Sequence, residues 1–98
     1  MILNKIIKSY PDEEFLIADG FDEAVIGVDI KSMRLIYSIK KCIEILIYKG
    51  MNEDNAQEYF EYNVSGSHMG TKTPIWCDDI FYPTLTEIRK EKLQKIKK

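Results

Sequence analysis

The sequence predicts an α+β fold: a small antiparallel sheet packed by an αα-hairpin, with a C-terminal helix. Three observations carry this. Ala24, Val25, Ile26, Gly27 and Val28 form an apolar, largely β-branched run, and a polar connection of about five residues leads to Leu35, Ile36 and Tyr37. Two segments of helical period follow, split only by Gly50, Met51 and Asn52. A short apolar run, Ile75 to Cys77, comes after Pro74.

Taken in order, Ile2, Leu3, Ile6 and Ile7 mark one face of a helix, with a short strand as the alternative, and Pro11 ends it. Residues 15–18 are apolar and read as a first strand. Asp19 and Gly20 are a turn signal. Residues 24–29 suit a strand buried on both faces, and residues 34–37 its hairpin partner. Ser38 is placed to cap the next helix, whose apolar positions are Ile39, Cys42, Ile43, Leu46 and Ile47, with Ile45 widening that face. Gly50 suits the left-handed position after the helix, and Met51 can fold back onto its last turn. Asn52 caps the second helix, which turns Ala56, Tyr59, Phe60 and Val64 inward. Residues 73–77 are the fourth expected strand. Thr84 or Thr86 opens the last helix, along which Leu85, Ile88, Leu93 and Ile96 form a sparse apolar line.

The bulk properties narrow the function. A chain of 98 residues is expected to be a single domain, 1–98, of ordinary globular composition, 45% apolar and 31% charged. No apolar run approaches the roughly 18 residues that a membrane span requires, and the start of the chain lacks a signal-peptide core. A cytoplasmic protein without membrane contact is therefore expected. The net charge of −2 hides an asymmetry: residues 1–88 carry 8 basic and 15 acidic side chains, whereas the frayed tail 89–98 carries 6 basic and 1 acidic. An acidic body disfavours direct nucleic acid binding. It suits a basic surface on another protein, or simply a solvated exterior.

No motif carries chemistry. The two cysteines, Cys42 and Cys77, and the lone His68 have no metal-ligand spacing. Cys42 reads as a buried free thiol. Asp19, Asp22 and Glu23 could hold a divalent cation, and Asp19, Asp22 and Asp29 a hydrolytic metal, but no calcium-loop spacing is present. His68 with Ser65, Ser67 or Cys77 lacks an orienting third group for nucleophilic catalysis. The expectation is a non-enzymatic protein that needs no cofactor.

Two binding surfaces remain. The outer side of the second helix carries Glu53, Asp54, Glu58 and Glu61, a protein-binding face for a partner with a basic surface. The loop after that helix offers Ser65, Gly66 and Thr73, with Tyr62, Asn63 and Trp76 beside it, as a site for a small ligand or nucleotide. The glycines there also have a purely conformational reading, and Asn63 a capping one. The aromatics Phe21, Tyr59, Tyr62, Trp76, Phe81 and Tyr82 are more than one thin core needs, so a partner surface or a homodimer contact is also compatible.

The blocks FDEAVIGV, LIYSIKKCIEIL, GMNEDNAQEYFEYNVSG and GTKTPIW resemble, in order and spacing, a family of small, largely uncharacterised proteins encoded by bacteriophages and other prokaryotic mobile elements. The resemblance spans residues 21–76. It brings no catalytic residues with it. In similar sequences an acid often stands at the place of Ser38 or Lys40, and another at Asn55, so the start of the second helix lacks a full capping box here. The resemblance implies an accessory protein in a bacterial cytoplasm that acts by binding. An inhibitor of a host defence system, such as a CRISPR effector, fits that description.

Overall fold

The computed structural model describes residues 1–66 and 70–81. The expected C-terminal helix, the tail 89–98, Ser67, His68 and Tyr82 lie outside the described residues.

The chain opens with helix α1 (Ile2–Ser9), which buries Leu3 and Ile6 and leaves Ile2 and Ile7 exposed. The helical reading of its apolar spacing is therefore the one that forms. Residues 15–18 are not a strand. They run alongside the core, with Phe15, Leu16 and Ala18 half-buried. The Ala18 N–H donates to the Tyr37 hydroxyl at 2.7 Å instead of entering a ladder. A side chain has taken the donor that sheet pairing would need.

Ala18 to Phe21 then form a tight turn, closed by the Phe21 N–H on the Ala18 carbonyl at 3.1 Å. Gly20 at φ +90° occupies the position that requires the left-handed region. After a 3₁₀ turn (Asp22–Ala24), β1 (Val25–Asp29) pairs antiparallel with β2 (Arg34–Ser38). The register slips between Val25 and Gly27, so Ile26 is bulged. Val25 and Leu35 are buried while Ile26 is exposed, and β1 is not buried on both faces. The hairpin loop is held by Asp29, whose carboxylate accepts from the Ser32 hydroxyl at 2.6 Å and the Lys31 N–H at 3.4 Å. The Ser32 bond, with the Lys31 N–H helping, lowers the Asp29 pKa.

Helix α2 (Ile39–Tyr48) begins where β2 ends. Ser38 is its cap, accepting from the Lys41 N–H at 3.0 Å. Cys42 and Leu46 are buried, with Ile39, Ile43 and Ile45 half-buried beside them; Ile47 faces out. The helix closes as expected from Gly50, at φ +112°. The Gly50 N–H reaches the Ile47 carbonyl and the Met51 N–H the Leu46 carbonyl, the paired bonds of a Schellman end. Asn52 caps α3 (Glu53–Tyr59) through the Asn55 N–H at 2.8 Å. The helix does not stop at Tyr59. It widens into a π-helical turn (Phe60–Ser65).

Strand β3 (Ile75–Cys77) completes a three-stranded sheet of order β1-β2-β3. It pairs with β2 in parallel, Ile36 beside Ile75 and Tyr37 beside Trp76. The sheet is thus mixed rather than wholly antiparallel. The α2–α3 hairpin is the crossover that a parallel pair demands. Residues 72–73 guide β3 into place. Arg34 Nε donates to the Thr73 carbonyl at 2.5 Å, and Lys72 Nζ reaches the Met33 carbonyl at 3.2 Å and Glu13 at 3.3 Å.

One cluster of buried side chains fills the centre: Leu3 and Ile6 from α1, Phe21, Ala24, Val25, Leu35, Tyr37, Cys42, Leu46, Ala56 and Phe60. Trp76 packs against it, 5.1 Å from the Tyr37 ring and 5.3 Å edge-on from Phe60.

Candidate functional site

Two stretches of the described structure carry acids and no base: 9–30, spread over turns and the first strand, and 51–66, which is mostly one continuous helix. The helical stretch 51–66 holds Glu53, Asp54, Glu58 and Glu61. All four acids are exposed, and none forms an ion pair among the described residues. Helical geometry explains the arrangement. Ala56 and Phe60, four apart, face the core. Asp54, Glu58 and Glu61 then fall on the opposite side. Asn55, Tyr59 and Tyr62 occupy the flank between, at four- and three-residue steps.

That flank is not flat. Met51, Asn55, Glu58, Tyr59, Tyr62 and Asn63 line an open groove of about 360 Å³. Met51 is half-buried against the core and forms part of its wall. Tyr62 is 76% exposed and Tyr59 42%. Tyr59 was expected on the inward face; it sits instead at the groove, because Ala56 and Phe60 already fill the contact with α2 and the sheet.

The π-helical turn extends this surface. It carries Glu61, Tyr62 and Asn63, and such widened turns recur at functional sites. The Ser65 hydroxyl donates back to the Glu61 carbonyl at 3.3 Å. Gly66 follows at an ordinary φ, but a Cβ there would lie 3.0 Å from the Glu61 oxygen and 3.4 Å from the Tyr62 oxygen. The glycine is needed for the close approach of backbone to backbone, and not for its φ.

The loop residues put forward for a small ligand are placed apart in role. Tyr62 and Asn63 belong to the groove. Ser65 and Gly66 end the π turn. The Thr73 hydroxyl and N–H both donate to the Gly70 carbonyl, at 2.7 and 3.2 Å, and its carbonyl accepts from Arg34. Trp76 lies against Tyr37 and Phe60, with its Nε1 buried and without an acceptor among the described residues.

A second depression of about 830 Å³ lies between the 20–23 turn and α2, bordered by Asp22, Glu23, Lys41, Glu44, Tyr48 and Lys49. Its lining thus carries both acids and lysines. Lys49 Nζ also sits 6.0 Å over the Phe21 ring. No three His, Cys, Asp or Glu side chains gather as a metal site among the described residues. Asp29, for its part, is committed to its own hairpin.

One polar cluster was not visible in the sequence. The Asp79 carboxylate, just past β3, accepts from the Ser38 hydroxyl at 2.5 Å and from the Lys40 N–H at 3.0 Å. It thereby occupies the amino end of α2, where backbone N–H groups favour an anion. Desolvation works against its ionisation, but these hydrogen bonds outweigh it and hold the carboxyl below its ordinary value of 3.8. Cys42, one turn further on, is fully buried. Burial, with Asp79 adding to it, pushes its thiol up to about 12. This cluster fastens the exit of β3 to the start of α2.

No family model, curated protein or solved structure matches this chain. No described helix is long and apolar enough to cross a membrane.

Proposed function

We propose that this chain is a non-enzymatic binding protein that engages a basic surface of another protein through the outward side of α3 and its π-helical turn. The observation that carries this is the stretch 51–66. Four exposed carboxylates stand there without an ion-pair partner among the described residues, next to two exposed tyrosines. Unpaired carboxylates of one sign create a field that steers a cationic partner and repels phosphate. Exposed tyrosines supply contact area at small conformational cost.

On the resemblance to bacteriophage and mobile-element proteins, the partner class we put forward is a host defence protein in the cytoplasm, such as a CRISPR effector. The channel by which such a protein holds nucleic acid is basic. A carboxylate-lined helix would occupy it as a substitute for phosphate. The small-ligand reading of the 65–73 loop has no observation of equal weight, since Trp76 and Thr73 have their main contacts within the fold.

The test is capture from a bacterial lysate by the tagged chain, run beside the variant E53K/D54K/E58K/E61K. The expected result is one stoichiometric protein that dissociates with salt and is lost with the variant. Unchanged capture by the folded variant removes this surface from consideration.

A further inference from the structure

We propose that the groove bordered by Met51, Asn55, Glu58, Tyr59 and Tyr62 receives an arginine side chain of the partner protein. The inference rests on the protein-binding reading above and names the chemical group that the surface selects.

The groove combines three features that fit a guanidinium group. Tyr59 and Tyr62 present exposed rings at its edge. A planar, weakly hydrated cation stacks on a phenol face better than a compact ammonium does. Glu58 lies at the same groove, and an ionised carboxylate pairs with guanidinium through two parallel hydrogen bonds. Met51, half-buried and polarisable, gives the methylene stem an apolar wall.

Charge decides among occupants. With Asp54, Glu58 and Glu61 nearby and no cation in 51–66, an acidic side chain or a phosphate is repelled. An apolar side chain would strip water from Glu58 and return nothing to it. The larger depression beside α2 makes no such choice, because both signs of charge line it, Lys41 and Lys49 as well as Asp22, Glu23 and Glu44.

The experiment uses the full chain, labelled with ¹⁵N and with ¹³C in its tyrosine rings. It is titrated with two blocked peptides of equal charge, Gly-Ser-Arg-Gly-Arg-Ser and its lysine counterpart. The expected result is that the arginine peptide moves the Tyr59 and Tyr62 ring signals and the Asn55 side-chain amide, and binds about threefold more tightly than the lysine peptide. Tyr62→Leu, at an exposed position, should weaken arginine binding more than lysine binding and so remove the roughly threefold preference. Equal affinities, with shifts spread over Glu53, Asp54 and Glu61 and none on the rings, would overturn the arginine site while leaving the acidic face in place. If neither peptide shifts any signal in 51–66, both readings fall.

Discussion

The Ser38 hydroxyl stands between two partners, donating to the Asp79 carboxylate at 2.5 Å and accepting from the Lys41 N–H at 3.0 Å. One fully buried hydroxyl thus serves the start of α2 and the exit of β3 together. Replacing Asp79 by Ala removes the acceptor for Ser38 and for the Lys40 N–H. The expected loss is about 1–2 kcal/mol in denaturant unfolding, the range of a lost helix cap.

The same carboxylate makes the contribution depend on pH. Its folded pKa lies below the ordinary 3.8, so the unfolded chain binds the proton more readily. The stabilisation is fully present above the unfolded value and disappears as pH falls through the folded one. Unfolding curves of the parent and Asp79→Ala should therefore differ at pH 7 and converge toward pH 2. A gap that stays constant over that range would contradict the ionised cap.

Cys42 and Cys77 should separate cleanly in thiol chemistry. Cys42 is fully buried with its thiol raised to about 12, and Cys77 is half-exposed. Since the thiolate is the reactive form, a disulfide reagent at pH 8 should label one thiol quickly in the folded protein. The second should appear only on addition of denaturant. Peptide mapping that finds Cys42 modified first would overturn the assignment.

Tyr37→Phe removes the acceptor for the Ala18 N–H while keeping the ring beside Trp76. A part-buried donor is left without a partner, at about 1–3 kcal/mol. Hydrogen exchange at the Ala18 amide should rise well before the rest of the core loosens. If Ala18 exchange is unchanged, the 15–18 segment is held by packing alone.

Gly66→Ala places a methyl group 3.0 Å from the Glu61 carbonyl oxygen. The π turn must give by a few tenths of an ångström or return to α geometry. A loss of about 1 kcal/mol is expected, with ring-signal changes at Tyr62, whose direction that turn sets. A Gly66→Ala protein with parent stability and an unmoved Tyr62 would show that the turn has room to spare.

Those parts of the fold that rest on short-range chemistry were legible. Ser38, Asn52 and Gly50 act within a few residues of themselves, and each forms the cap or helix end its residue type suggests. The parts that failed depend on distant partners. Residues 15–18 have strand composition, yet the Tyr37 hydroxyl, 19 residues away, captures the Ala18 donor. The run at 75–77 looks the same whether it pairs parallel or antiparallel; only the α2–α3 crossover decides. The four acids of the candidate surface could be read directly from their spacing. The groove beside them could not. A regular helical period sends Tyr59 inward, and no residue pattern announces the π-helical turn that carries Tyr62 and Asn63.

The parallel pairing of β2 with β3 also orders events in time. The β1–β2 hairpin and the α2 and α3 caps close over a few residues each. Docking β3 brings together Arg34 and Thr73, 39 residues apart, and bears the loop-closure entropy of that whole span. The only tryptophan, Trp76, rides on that late strand. In a stopped-flow experiment its emission reports the arrival of β3 and is blind to the hairpin that precedes it. Far-ultraviolet ellipticity should recover first, and fluorescence should follow.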